Sequence, residues 1–536
     1  MRMPVLPPRP NLLELARLIG GGERIGLSEG MLAAPSSGDG NITDPDPPGR
    51  QRVDGKMLLG TMWSFGINSL QQILVLTRLV ILARLLLPSD FGILDIALLT
   101  LYALDVFSQT GFQQALVQKK TDITEDLNAA WTLLVVRGFV LFIVLFLFAP
   151  YIADFFATPE AAPVLQVVGI TLIFQGFTNL GTILFLKNLD FRKQYLFKLS
   201  GVATEFIVSI TAVLIFQNVW ALVFGIIAKD LILMIMSYII HPYRPRFNFD
   251  LKKVRGLSSY GIWIMASSIL VFLLIQGDDI IVGKVLGITA LGLYQMAYGL
   301  SNTPSTEISQ IISQVAFPVY SKIQDDLAQL KALFLRTLEL TALISFVLTG
   351  LLVSLAPEIT LVFLGSNWAP IIPLIQILAW WGLVRGLEET SAALFLAVGK
   401  PRLHSMLQFI QVIILFTLIY PLMDNYGLVG VSLAVAFSCF PVLFLFINSV
   451  KKILTIGVWE AYAPLVYPLA LIICSIGSTA LVRTVLFPTP DLYSMFILLG
   501  TYALVTLIVI NVLDRYTPYK AVSMVRGFIS SRKKTF

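Results

Sequence analysis

The chain has 536 residues, 57% of them hydrophobic and only 13% charged, with a mean hydropathy of +0.82; soluble domains carry about 25% charged residues, so this chain takes lipid as its solvent. A formal net charge of +6 does not point to nucleic acid, because the basic residues stand in short loops between apolar runs, where they orient a chain in the membrane. Cys439 and Cys474 lie inside apolar runs with no CxxC or Cys/His spacing around them, which excludes a disulfide frame and a zinc site.

In chain order, residues 1–55 come first, with MRMPVLPPRP and APSSGDGNITDPDPPGR; rich in Pro, Gly, Asp and Ser, they read as a disordered cytoplasmic extension. They hold no basic segment followed by an apolar one, so a signal peptide is not expected. Asn-Ile-Thr at 41–43 matches a glycosylation acceptor by chance. A bilayer core needs roughly 20 apolar residues per helix. By that rule the chain divides into about fourteen runs, at 57–85, 91–116, 128–149, 163–186, 199–216, 219–240, 258–282, 290–316, 333–355, 371–396, 404–421, 427–449, 464–486 and 492–512. They are too long for barrel strands and lack period-two alternation, so the expected fold is all-α and polytopic.

Alternate loops differ in charge. One set holds Lys119 and Lys120, KNLDFRKQYLFK, HPYRPRFNFDLKKVRG, GKPRLH and the pair Lys451 and Lys452; the other holds APYIADFFATPEAAP, QNVW, SNWAP and MDNYG. Of the 38 Lys and Arg residues, all but Arg78, Arg84, Arg137, Lys229, Lys284, Arg385 and Arg483 fall to the first side. The positive-inside rule makes that side the cytoplasm and places both termini there.

A shift of 200 residues lays the first run on the seventh: Trp63 falls on Trp263, Leu70 on Leu270, Leu74 on Leu274, Arg84 on Lys284 and Gly92 on Gly292. Later the shift drifts to about 210, laying LFLKNLDFR at 184–192 on LFLAVGKPR at 394–402. The expected organisation is a six-helix lobe over 56–250, a parallel six-helix repeat over 251–452, and two peripheral spans with a basic tail over 453–536. Parallel repeats of this kind are a transporter architecture, with the path between the halves.

Ionisable residues inside these runs cost about 2.5–3.5 kcal/mol each on insertion scales, so each must face protein or water. Arg78, Arg137, Lys229 and Arg385 are the basic candidates for a substrate path; Asp95, Asp105, Glu205, Asp230, Asp278, Asp279, Glu307, Glu388 and Glu389 are the acids. Arg385, Glu388 and Glu389, at i, i+3 and i+4, can neutralise one another on one helix face. Arg137 has no acid in its own run. Asp278 and Asp279 cannot share a helix face, and in the repeat register Asp278 corresponds to Arg78. Two readings of that pair stay open: a cross-lobe ion pair closing the outer mouth, or local capping near the outer surface.

Taken together, QGDDIIVGKVLGITALGLYQMAYGL, LLPSDFGILDIALLTLYALDVFSQTGFQQALVQKKTDITEDLN, WTLLVVRGF, APYIADFF and NLDFRKQ resemble the polysaccharide-exporting branch of the multidrug/oligosaccharidyl-lipid/polysaccharide transporter superfamily, the Wzx-type and colanic-acid-exporter-like flippases. The resemblance spans roughly residues 55–450. It implies flipping of an undecaprenyl-diphosphate-linked oligosaccharide across a bacterial plasma membrane by alternating access, in a monomeric transport unit, with a polysaccharide polymerase as candidate partner. Arg137 matches the arginine of the family's third span, and Arg78, Lys229 and Arg385 stand as further cations for the diphosphate. No cofactor is implied beyond a coupling proton or Na+, for which Asp278, Asp279, Glu205, Asp105 and Glu307 are the coupling or gating candidates. Two rivals remain. A multidrug antiporter of the same superfamily would want an acid-lined cavity, and a membrane-embedded glycosyltransferase or polymerase would want a large outer loop with paired catalytic acids. The chain shows no P-loop and no Ser-His-Asp set, and places His241 and His404 at loops, so it is not expected to be an enzyme.

Overall fold

The structure is a computed structural model that describes residues 70–108, 124–187, 190–248, 261–487 and 489–516. The extension 1–55, the first part of the run 57–85 with Trp63, and the loops holding Lys119, Lys120, Lys252 and Lys253 lie outside the described residues. The helices below all lie in the compact unit Trp63–Leu507, apart from the last turns of the final one.

Among the described residues every regular element is helical. The first half of the chain holds α1 (70–85), α2 (Pro88–Phe107), α3 (Thr124–Phe155), α4 (Ala161–Phe177), α5 (Phe191–Phe216) and α6 (Trp220–Ile240). The second half holds α7 (Gly261–Ile281), α8 (Ile288–Lys322), α9 (Leu327–Glu358), α10 (Ile371–Ala397) and α11 (Pro401–Leu454), followed by α12 (Val458–Leu486) and α13 (Leu492–Tyr516). Among the described residues eight helices are long and apolar enough to cross a membrane. α2 and α8, at 20 and 35 residues, have the length without the apolarity, because α2 carries Asp90, Asp95 and Asp105, and α8 carries Gln295, Asn302, Glu307, Gln310 and Gln314.

Helix ends depart from the apolar runs for local reasons. α9 starts six residues before the expected 333 because Asp326 caps it, its carboxylate accepting from Ala328 N at 3.1 Å and Gln329 N at 3.0 Å. The run expected at 163–186 is broken: it bends at Gly169, stops at Phe177, and resumes as the short turns Leu180–Thr182 and Ile183–Lys187. Asn179, fully buried, terminates it by accepting from Gly181 N at 2.8 Å and donating from Nδ2 to Tyr243 O at 2.7 Å. That second bond belongs to an extended strap, 241–248, whose Arg246 N and Asn248 N donate to Asn128 Oδ1 and Thr132 Oγ1 at 2.9 and 2.8 Å. The expected loop MDNYG is helical, and α11 turns back on itself at Gly427 alone, at φ 56°, a conformation that glycine adopts without a Cβ clash. His404 lies in the first turns of α11 rather than in a loop.

The two halves meet through α2 and α8. A Cβ on Gly92 would stand 1.9 Å from Ile288 O, and one on Gly292 would stand 2.0 Å from Pro88 O. The residues aligned by the 200-residue shift therefore touch each other, each half presenting the same glycine to the same turn of the other. Small residues permit this approach, and close packing replaces the hydrophobic drive that lipid lacks. Gly92→Ala and Gly292→Ala are each expected to cost about 1–3 kcal/mol by overpacking and so to lower the midpoint of thermal unfolding in detergent. An unshifted midpoint in both would mean that the crossing is looser than described.

The last two helices are docked more firmly than a peripheral addition. α12 packs along α9, with Arg483 bonded to both carboxylate oxygens of Glu358 at 3.0 and 2.6 Å near one end and Lys331 paired with Glu460 at 2.7 Å near the other. Gly350 of α9 lets Ile472 and Tyr502 close in, and the Tyr502 hydroxyl donates to Val347 O at 2.8 Å.

Candidate functional site

The exposed residues Gly299, Thr303, Glu307, Gln310 and Gln314 recur along α8 at three- and four-residue intervals and share one helix face with the exposed Ile311 and Val315. Glu307 and the two glutamines on a membrane-length helix are costly against hydrocarbon, so this mixed face favours contact with water or protein over lipid. Pro304 lies inside the helix, and Glu307 points away from the packed side that buries Ser301, Ser305 and Ser309. α2, packed on α8, exposes Tyr102 and the side chain of Asp105.

In the first half the cations are held by acids on neighbouring helices. Glu205 of α5, at 7% side-chain exposure, lies between two of them: its Oε1 pairs with Arg78 of α1 and its Oε2 lies 3.5 Å from Lys229 Nζ of α6. Two cations on one carboxylate leave one net positive charge there. Asp230 points elsewhere, as adjacent helical residues must, and accepts from Gln175 Nε2 at 2.9 Å. Arg137 of α3 finds on α2 the acid that its own run lacks: Nη2 donates to Asp105 Oδ1 at 2.5 Å and to Ser108 Oγ at 2.7 Å, and Nε donates to Ser108 Oγ at 3.0 Å. Its side chain stays 22% exposed, so the guanidinium is oriented yet reachable.

In the second half Asp278 and Asp279 are buried, and Arg385 makes no salt bridge among the described residues. Asp278 and Asp279 of α7 are each 2% exposed. Asp278 Oδ2 accepts from the Tyr294 hydroxyl at 2.5 Å, while Oδ1 of each carboxylate has no partner among the described residues. Rings continue from there: Tyr294 and Tyr298 are 6.1 Å apart by centroid, Tyr298 and Trp381 are 4.9 Å apart, and Arg385 lies 5.2 Å over the Trp381 ring. Among the described residues no salt bridge joins Arg385 to Glu388 or Glu389, although Arg385 still acts electrostatically on Glu388, and Glu388 Oε1 has no hydrogen-bond partner there.

The structure does not bring Arg78 and Asp278 together: each is engaged inside its own half, with Glu205 and with Tyr294. Gln175, Ser108, Tyr294, Tyr298 and Trp381 were not singled out by the sequence, being ordinary residues in apolar runs. The polar stripe of α8 did leave a signal, in the regular spacing of Thr303, Glu307, Gln310 and Gln314.

Residues 81–373 match the family described as "Polysaccharide biosynthesis protein". The chain belongs to that family. It is a Wzx-type polysaccharide-biosynthesis transporter, and not an enzyme. Among curated relatives it is 27% identical over 348 residues to the lipopolysaccharide biosynthesis protein WzxC of Escherichia coli, covering 64% of this chain and 70% of that one. It is 25% identical over 354 residues to the succinoglycan biosynthesis transport protein ExoT of Rhizobium meliloti, covering 61% of this chain and 72% of that one. The fold is shared with the lipid II flippase MurJ in an inward closed conformation, at TM-score 0.67 and 16% identity over 85% of this chain and 99% of that one. An inward-facing multidrug MATE transporter matches at TM-score 0.56 and 14% identity, over 72% and 94% of the two chains. The family member is thus an all-α, multi-pass membrane protein of MurJ/MATE-like fold.

Proposed function

We propose that the chain moves an undecaprenyl-diphosphate-linked oligosaccharide from the cytoplasmic to the outer leaflet of a bacterial plasma membrane, for surface polysaccharide synthesis. In this reading fourteen spans form two six-helix lobes, 56–250 and 251–452, plus α12 and α13; both termini are cytoplasmic and the lobes open alternately to the two sides. The observation that carries it is the exposed row Thr303, Glu307, Gln310 and Gln314 on α8, which supports a watered path beside that helix. A glycan crosses along that face while the polyprenyl tail stays in lipid. The diphosphate needs fixed cations: Arg137 and the Arg78–Glu205–Lys229 group supply them in the first lobe, and Arg385 on Trp381 in the second. Glu205 and Asp105 are committed to cations, so the coupling proton or Na+ falls to Asp278 and Asp279, whose free oxygens gain a partner when either binds. Glu307, exposed on the polar face, meets the substrate side of the path and gates it.

The test is reconstitution into liposomes with a fluorescent lipid-linked oligosaccharide. Wild type is expected to flip it under a proton or Na+ gradient, Arg137→Ala more than tenfold more slowly, and Arg137→Lys in between. No flipping by wild type under any gradient would sink the function, and an unchanged rate in Arg137→Ala would remove Arg137 from the path.

A further inference from the structure

Where α1 turns into α2 and α7 into α8, the two halves hold each other by one contact made twice. Arg84, in the last turn of α1, donates from Nε to Phe363 O at 2.9 Å and from Nη2 to Val362 O. Lys284, its counterpart in the wide turns Val282–Leu286 that end α7, donates from Nζ to Phe155 O at 2.5 Å. The acceptors are counterparts too. Ala149-Pro150 of α3 aligns with Ala356-Pro357 of α9, and the same alignment lays Phe155 on Val362. Each half therefore sends the cation at the end of its first described helix to the other half: Lys284 to the last carbonyl of α3, and Arg84 to carbonyls of the wide turns Ile359–Leu364 that continue α9. Those carbonyls have no partner inside a helix and carry its negative dipole end, which favours a cation.

The surrounding packing differs between the two copies while the polar contact is shared. Trp368 donates from Nε1 to Ala83 O at 2.8 Å and stands edge-on to Phe91 at 5.2 Å. On the other side Lys284 Nζ lies 4.8 Å from the Phe155 ring centroid, and Gly283 faces Phe156. Between the two copies runs the Gly92–Gly292 crossing. Arg84 and Lys284 are both exposed, so their bonds exchange with water at little cost, unlike the buried ion pairs inside each half.

We propose that Arg84 and Lys284 are a paired latch holding this end of the two halves shut, and that both must release in the same step when this end opens. Reciprocity is the reason: a separation of the halves at the α2–α8 crossing lengthens both contacts together, so neither opens alone. The acceptors are backbone carbonyls, which do not titrate, so the latch itself is insensitive to pH and any ion dependence of opening comes from other groups. The inference rests on the alternating-access reading above, but its test needs no glycan.

The measurement is a spin-label distance distribution in lipid between Leu87→Cys and Val285→Cys, one exposed site from each half, with Cys439 and Cys474 replaced by Ser. Arg84→Gln with Lys284→Gln, which removes both charges and shortens both side chains so that neither carbonyl is reached, is expected to raise the population of the longer distance at least fivefold over wild type, with each single change giving less. Arg84→Lys with Lys284→Arg keeps both cations and is expected to retain the wild-type distribution, which a merely structural role for either side chain would not require. An unchanged distribution in the double Gln variant overturns the latch, as does a cation-swapped variant that opens as far as the Gln variant does. Failure of wild type to flip a lipid-linked glycan would remove the function while leaving the distance result standing.

Discussion

Glu205→Gln is expected to lower both stability and flipping, by more than loss of either cation it holds. The carboxylate is nearly buried and shared by Arg78 and Lys229; without it the two cations on α1 and α6 lose the carboxylate that pairs them both. Breaking a buried pair from one side costs roughly 3–5 kcal/mol, and about 3 is the expected value here because both cations keep some exposure. Arg78→Gln combined with Glu205→Gln leaves one cation and no acid, so it should recover most of the thermal midpoint, while flipping stays low because half of the cationic group is gone. Thermal unfolding followed in detergent, alongside the liposome assay, separates the two effects. A single Glu205→Gln variant that melts with wild type would show that the three groups are not a unit.

The second large effect is expected at Arg483. Its partner Glu358 has no exposure at all, and Arg483 also donates to Ser354 O, so Arg483→Ala strands a carboxylate inside α9 and should cost about 3–5 kcal/mol. The variant is expected to lose α12 and α13 from the second half first, seen as new protease cleavage between 455 and 491 before global unfolding. Lys331→Ala is the control: Lys331 and Glu460 are each about a third exposed, and such a pair contributes about 0–1 kcal/mol. Equal midpoint losses in the two variants would contradict this ranking. If the prediction holds, the last two helices move with the second half as one body.

Apolar runs alone located most helices, since a bilayer demands length and apolarity before anything else. They placed ends poorly wherever a polar residue does the terminating, as Asp326 does for α9 and Asn179 for α4. The repeat was legible at Arg84 and Lys284 and at Gly92 and Gly292, where composition allowed few accidental matches.

What the amino-acid order determined by itself was the solvent and the helical class. Partnership among the buried ions was decided only by the tertiary structure, because it depends on which helices are neighbours and how each is rotated. Arg137 reaches Asp105, Arg78 reaches Glu205 and Arg483 reaches Glu358, none of which follows from spacing along the chain. Of the residues matched by the 200-residue shift, Gly92 and Gly292 touch, whereas Arg78 and Asp278 are each bonded within their own half of the chain.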